Sequence, residues 1–342
     1  MSRDFIEEDN YKEFDYVTYG RQFDSYRWFK PILTMIFFMV FFIIFACLLA
    51  AATGAYDFIR TGGDLQGYLD RYRNISYDNM NVHDLTGSLI NFGTLALMIP
   101  SLALARGIVQ DRSFSSYTSS RGGWSHTVFL KSFILALIIC GGFLYLYHFI
   151  ILEPGAYNNQ FTKSALIALF LLCPLQCLAE EYVFRGLICQ TLGSWLRVPI
   201  IAIILSSAGF AALHPYDLKG QISIFVVGAG FALCAWFGHG LEIPAAFHIV
   251  NNVLVFLGEG LGYSKITTAT TDIEFIIDIL TTVCFTAVVF IISRKTDWFD
   301  RIKYDDAGDW NDIMDEKYRR KMAKKAAKKE RREAKKEARK NG

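Results

Sequence analysis

The chain has 342 residues, of which 53% are hydrophobic and only 20% charged, with a formal net charge of +2. A soluble domain carries about 25% charged residues, and here long apolar runs are separated by short polar ones. This excludes an ordinary soluble globule, a disordered chain and a disulfide-stapled scaffold. The near-neutral total averages two unlike parts: residues 317–342 hold 14 Lys/Arg and 3 Glu, a net of +11, so residues 1–316 sum to −9.

In chain order, residues 1–30 form an acidic and aromatic segment (Phe5, Tyr11, Phe14, Tyr16, Tyr19, Phe23, Tyr26, Trp28). Its Trp and the aromatics nearest Lys30 suit a membrane interface. Charge-free runs follow at 32–56, 85–105, 132–152 and 220–241, each long enough for the roughly 20 residues that cross a hydrocarbon core. Shorter apolar stretches complete a set of eight predicted helices: about 32–55, 85–105, 127–152, 163–188, 198–215, 221–238, 243–259 and 273–293. The first is too long for a signal-peptide core and follows about 30 mostly polar residues, so it reads as a retained helix. Alternating strands of about ten residues are absent, which argues against a closed barrel. The expected fold class is an all-α, polytopic membrane bundle of about eight transmembrane helices. Three regions are expected: the N-terminal segment 1–30, the bundle 31–295 and a basic tail 296–342.

Lys and Arg are counted by side to orient the bundle. With the N-terminus cytoplasmic, inner segments hold 28 and outer segments 6, with Lys131 inside the third helix. Both termini of a multi-pass cell-membrane protein are therefore expected in the cytoplasm. The tail 317–342 is rich in helix formers but lacks an apolar face. It reads as a solvated topological anchor that can attract anionic lipid, and it has no interleaved aromatics to indicate nucleic acid. The seven cysteines lie in or beside apolar stretches without a Cys-x-x-Cys pair, so they read as packing residues.

Ionisable groups inside membrane segments are costly and usually functional. Three places stand out. Glu180-Glu181-x-x-x-Arg185 ends the fourth helix. Glu181 and Arg185 are four apart and can pair, while Glu180 is turned about 100° away without that partner. Phe210-x-x-x-His214 precedes Pro215, where a helix stops or bends. His248-x-x-x-Asn252 puts two polar groups on one helical face. Taken singly, each has a bland reading: a helix-end salt bridge, a capping histidine, or polar groups satisfying one another between helices. Together they suit amide hydrolysis in a membrane, with a buried Glu as general base. Two His and an Asn can hold a metal, position a water or stabilise an oxyanion. No Gly-x-Ser-x-Gly elbow and no His-Glu-x-x-His is present, which argues against a serine protease and a standard zincin.

These three motifs, in this order, resemble those of the CPBP intramembrane proteases, the CAAX-protease and bacteriocin-processing group. The resemblance covers about residues 160–258. It implies an eight-helix membrane endopeptidase in which Glu180 activates the attacking water. Glu181 and Arg185 would fix the helix and the local charge. His214 and His248 would bind a metal or the developing oxyanion, with Asn252 in support. It leaves open whether a divalent metal such as zinc, held by Glu180, His214 and His248, or a metal-free glutamate route does the work. The implied partner is a membrane-embedded or lipidated protein or peptide substrate. A non-catalytic membrane scaffold or binding protein is the competing reading. A transporter is a third, disfavoured because paired broken helices in matching halves are missing. One point resists convergence: on the predicted boundaries Glu180 and His248 lie toward the cytoplasmic side, whereas His214 lies about 24 Å along the fifth helix. Of the other histidines, His239 reads as a turn residue, His148 as interfacial, and His83 and His126 as loop residues.

Overall fold

The computed structural model describes residues 15–23, 25–64, 66–67, 69, 81–121, 123–147, 150, 157–296 and 298–299. Phe5, Tyr11 and Phe14, His148 and the basic tail 317–342 lie outside the described residues. Eight long helices carry the described fold: α1 Lys30–Arg60, α2 Leu85–Val109, α3 His126–Leu146, α4 Lys163–Leu196, α5 Pro199–Ala212, α6 Leu218–Phe237, α7 Glu242–Gly260 and α8 Asp272–Lys295. Seven are long and apolar enough to cross a membrane, and the 14-residue α5 is the shorter one. No strand occurs among the described residues, apart from an isolated bridge between Ser119 and Gly240. The expected all-α polytopic bundle is what the chain forms.

The helix starts follow local chemistry. Ser125, Thr162, Asp217 and Thr271 each accept a backbone N–H two or three residues into α3, α4, α6 and α8, which satisfies one otherwise orphaned donor. Thr271 and Glu274 complete a reciprocal capping box. Proline opens α1 and α5, where its missing N–H costs nothing.

Helix α7 is the hub, packed against α3, α4 and α6. Every residue from Glu242 to Val250 is buried. Helix α6 also packs on α5 and α8, and α1 on α2. Lipid gives apolar side chains no reason to leave it, so helices associate through close packing and small residues. Gly230 shows this: a Cβ there would lie 2.6 Å from Thr282 Cγ2, so α6 and α8 approach only because it is absent. Ile36, Ile43 and Leu48 of α1 and Ile276, Val283 and Ile291 of α8 face outward, as lipid-facing positions should.

The segment 111–121 folds over the α6–α7 turn. Leu241 N donates to Thr118 O at 2.8 Å, Ser120 N donates to His239 O at 2.9 Å, and Arg121 pairs with Glu242 at 2.8 Å. His239 takes a left-handed conformation (φ 56°) in that turn. It is therefore a turn residue, as expected.

Two boundaries differ from the sequence expectation, and together they remove the depth problem. Helix α4 continues past 188 to Leu196 through a π-helical stretch, Tyr182–Cys189. Glu180 therefore sits sixteen residues from the end of α4, about 24 Å along its axis. His214 follows the short α5 and lies fifteen residues from its first residue, about 22 Å. Counted along each helix, the two groups lie at similar distances from the α4–α5 turn, because α4 runs longer than the apolar pattern indicates.

Candidate active site

The site is assembled by α4, α7 and the end of α5. Pro174 lies inside α4 and removes one N–H from its ladder two residues before Gln176. Gln176, Glu180 and Glu181 are all buried, as are Arg185 and His248.

Glu181 is the electrostatic centre. Its Oε1 accepts Arg185 Nη1 at 2.9 Å and His248 Nδ1, also at 2.9 Å. Arg185 is wholly buried, yet its charge is spread over three kinds of partner. Nη2 donates to Gly228 O at 2.9 Å. The guanidinium lies over Phe210 at 4.6 Å and beside Phe231 at 5.1 Å, both measured to the ring centroid. Gly228 is needed for this approach, since a Cβ there would lie 3.4 Å from Arg185 Nη2 and 3.3 Å from Phe210 Cδ1.

This arrangement fixes the proton on His248. A carboxylate facing a guanidinium is ionised and can only accept, so Nδ1–H of His248 donates to it. The lone pair on Nε2 then points at Glu180, whose Oε2 lies 3.6 Å away. The other oxygen of Glu180, Oε1, accepts Gln176 Nε2 at 2.6 Å. The two adjacent carboxylates therefore part as their helical phase requires: Glu181 is tied to Arg185, and Glu180 is free of it.

His214 is half-buried. Its Nδ1 donates to Phe210 O at 2.8 Å, which leaves Nε2 available. It packs on the Phe210 ring at 4.7 Å between centroids, and His248 packs on the same ring at 6.4 Å. His214 thus joins the site through a shared aromatic ring. Asn252 bonds its neighbour, with Asn251 Nδ2 donating to Asn252 Oδ1 at 3.2 Å. It shares the His248 face of α7, and no hydrogen bond joins it to that imidazole among the described residues. Gln176 is the functional candidate that motif reading misses. The available signal is its spacing of four from Glu180 on an apolar helix.

Residues 162–254 match the family model Rce1-like, described as Type II CAAX prenyl endopeptidase Rce1-like. Over this segment, a little over a quarter of its length, the chain is similar to the CAAX-protease family. The matched segment begins at the N-cap of α4 and ends within α7, so it contains all three motifs. No curated protein and no solved structure matches the chain.

A divalent metal in a catalytic site takes three protein ligands. Among the described residues, no group of three His, Cys, Asp or Glu side chains could hold one. Glu180 Oε2 and His248 Nε2 face each other, but His214 does not close the set. The expected ligands Glu180, His214 and His248 do not fit a metal as they stand.

Proposed function

We propose that this protein is an intramembrane endopeptidase that hydrolyses a peptide bond of a membrane-embedded or lipidated substrate, with Glu180 as general base. The observation that carries this reading is the buried relay Arg185–Glu181–His248 facing Glu180 across 3.6 Å. Two lone-pair groups at that distance call for a hydrogen donor between them. A water about 2.8 Å from both Glu180 Oε2 and His248 Nε2 fits, donating one hydrogen to each.

Glu180 takes one proton as the water oxygen adds to the scissile carbonyl carbon. The new oxyanion needs donors, and His214, whose Nε2 is not engaged by the fold, would supply one when that nitrogen carries a proton. The proton then passes to the leaving amide nitrogen as the carbon–nitrogen bond breaks, so protons balance and Glu180 is restored. Glu181 and Arg185 act on His248 and hold its ring and tautomer. Asn252 supports the α7 face beside it. Residues about 160–258 form the protease core, and both termini lie in the cytoplasm, in line with the distribution of Lys and Arg.

The test is cleavage of a panel of membrane-tethered peptides, with and without lipidated cysteine, by the purified protein, with Glu180→Ala as control. Cleavage that disappears in the variant supports the reading. A panel left intact by wild type, or cut equally by both proteins, supports the scaffold alternative.

A further inference from the structure

Well away from Glu180, the α4–α5 turn and residues 21–32 enclose a cleft of about 520 Å³. It lies about 21 Å along α4 from Glu180, at the end of the bundle where α1 begins. Its volume is that of a small-molecule site.

The lining is graded. Arg21 and Arg197 supply two guanidinium groups. Neither forms an ion pair with a carboxylate among the described residues. Arg197 is presented by the turn itself: it is left-handed (φ 59°), and its N–H closes the end of α4 on Gly193 O at 2.9 Å. Ser194 also lines the cleft. It is 2% exposed, and its Oγ has no hydrogen-bond partner. A buried hydroxyl left unpaired costs free energy unless something supplies the bond. Tyr26 adds a phenol in a cationic environment: burial raises its pKa, while the charges of Arg21, Arg112 and Arg197 partly offset that rise. Arg112 is otherwise committed, donating to Gln190 Oε1 at 2.6 Å and to Gly186 O at 3.2 Å.

The mouth is amphipathic. Trp28 and Trp195 are exposed on its rim, with the Trp195 indole N–H donating to Trp28 O at 2.9 Å. Ile32, on the first turn of α1, completes the lipid-facing side. Tryptophans at this level mark the membrane–water boundary. Two cations and a buried hydroxyl beside exposed indoles, with an aliphatic side chain toward lipid, match one ligand class, an amphiphile with an anionic head.

We propose that this cleft binds the phosphodiester headgroup of an anionic membrane lipid, held by Arg21 and Arg197 with Ser194 Oγ–H as a further donor. Arginine suits this because its planar fork meets phosphate oxygens in pairs. The cleft shares no residue with the hydrolytic set, so it stands whether or not the chain cleaves peptides.

The experiment is native mass spectrometry of the full-length protein in detergent, titrated with phosphatidylglycerol or phosphatidylcholine of identical chains. Wild type should retain phosphatidylglycerol in preference. R21Q/R197Q should weaken that binding roughly thirtyfold, as two lost cations near a membrane surface imply. Ser194→Ala should weaken it several-fold. Lys265→Gln, at the opposite end of the bundle, should leave it unchanged. Equal retention of both lipids, or a phosphatidylglycerol affinity untouched by R21Q/R197Q, overturns the proposal. If the double variant does not fold, an unchanged affinity in Ser194→Ala overturns it instead. Displacement of phosphatidylglycerol by millimolar inorganic phosphate would make this a soluble-phosphate site and overturn the lipid assignment.

Discussion

His248 Nδ1 lies 2.9 Å from Glu181 Oε1, the same oxygen that Arg185 Nη1 reaches at 2.9 Å. One carboxylate oxygen thereby links a helix–helix contact to the protonation state of an imidazole. The i, i+4 pair on α4 does more than neutralise a buried charge, because it decides which nitrogen of His248 faces Glu180.

This linkage separates stability from activity. Arg185→Leu leaves Glu181 charged and buried with no cation beside it, only the His248 N–H, which costs about 3–5 kcal/mol. Replacing both partners, Glu181→Leu with Arg185→Leu, removes the stranded charge. Thermal unfolding in detergent should show the double variant recovering much of the lost Tm. Peptide cleavage should be lost in the double variant even though its stability recovers, since His248 then has no carboxylate to fix its tautomer. A double variant with near wild-type turnover would remove Glu181 from the mechanism.

Gln176 should behave as a positioning residue for Glu180. Hydrogen bonds to charged groups contribute about 1.5–3 kcal/mol, so Gln176→Leu should lower kcat roughly 10- to 100-fold. KM should change little, because Gln176 reaches the carboxylate and not the substrate. Steady-state kinetics on a cleaved peptide would show this split. An effect on KM alone would argue for a substrate contact instead.

At the other end of the bundle, Asp217 caps α6 and holds the α7–α8 connection. Its Oδ1 accepts Gly220 N at 2.9 Å, and its Oδ2 accepts Thr270 N at 3.2 Å. The N–H of Gly220, and then that of Thr270, hold its carboxyl below the ordinary value of 3.8. A group with a lowered folded pKa stabilises the fold above its unfolded value, and the contribution is lost as pH falls. Thermal stability should therefore drop from pH 5 downward more steeply in wild type than in Asp217→Asn. Parallel curves would show that the cap carries no such linkage.

Orientation can be checked directly. If the proposed orientation holds, with 28 basic residues on the inner side and 6 on the outer, reporter fusions after residue 342 should report cytoplasmic and fusions after residue 60 should report external. The reverse pattern would invert the bundle.

The helix count and the three motifs are legible in the sequence because both rest on local properties: apolar runs of spanning length, and spacings of four. The Glu181–Arg185 pair is one of these, a single helical turn that any α-helix would close. The depth of the site is not legible. Apolar composition does not register that α4 passes through a π-helical stretch to Leu196, or that α5 ends at Ala212. The sequence expectation of three converging metal ligands also depends on where Phe210 sits. Its ring lies against both His214 and His248, a tertiary fact with no local signature. Gln176 escapes notice because a lone amide on an apolar helix has no motif around it. The Arg21–Arg197 cleft joins residues far apart in sequence through a turn whose left-handed residue is neither glycine nor asparagine.

The most direct measurement is the single-turnover rate of Glu180→Gln on a membrane-tethered peptide that wild type cleaves. It should be paired with a thermal-unfolding curve showing that the variant is folded. The substitution keeps the shape and the hydrogen-bond reach to Gln176 but removes the base. A loss of about 100- to 10,000-fold with the fold intact is the result expected here. Turnover within a few-fold of wild type would show that another group activates the water, and the assignment of Glu180 would be wrong.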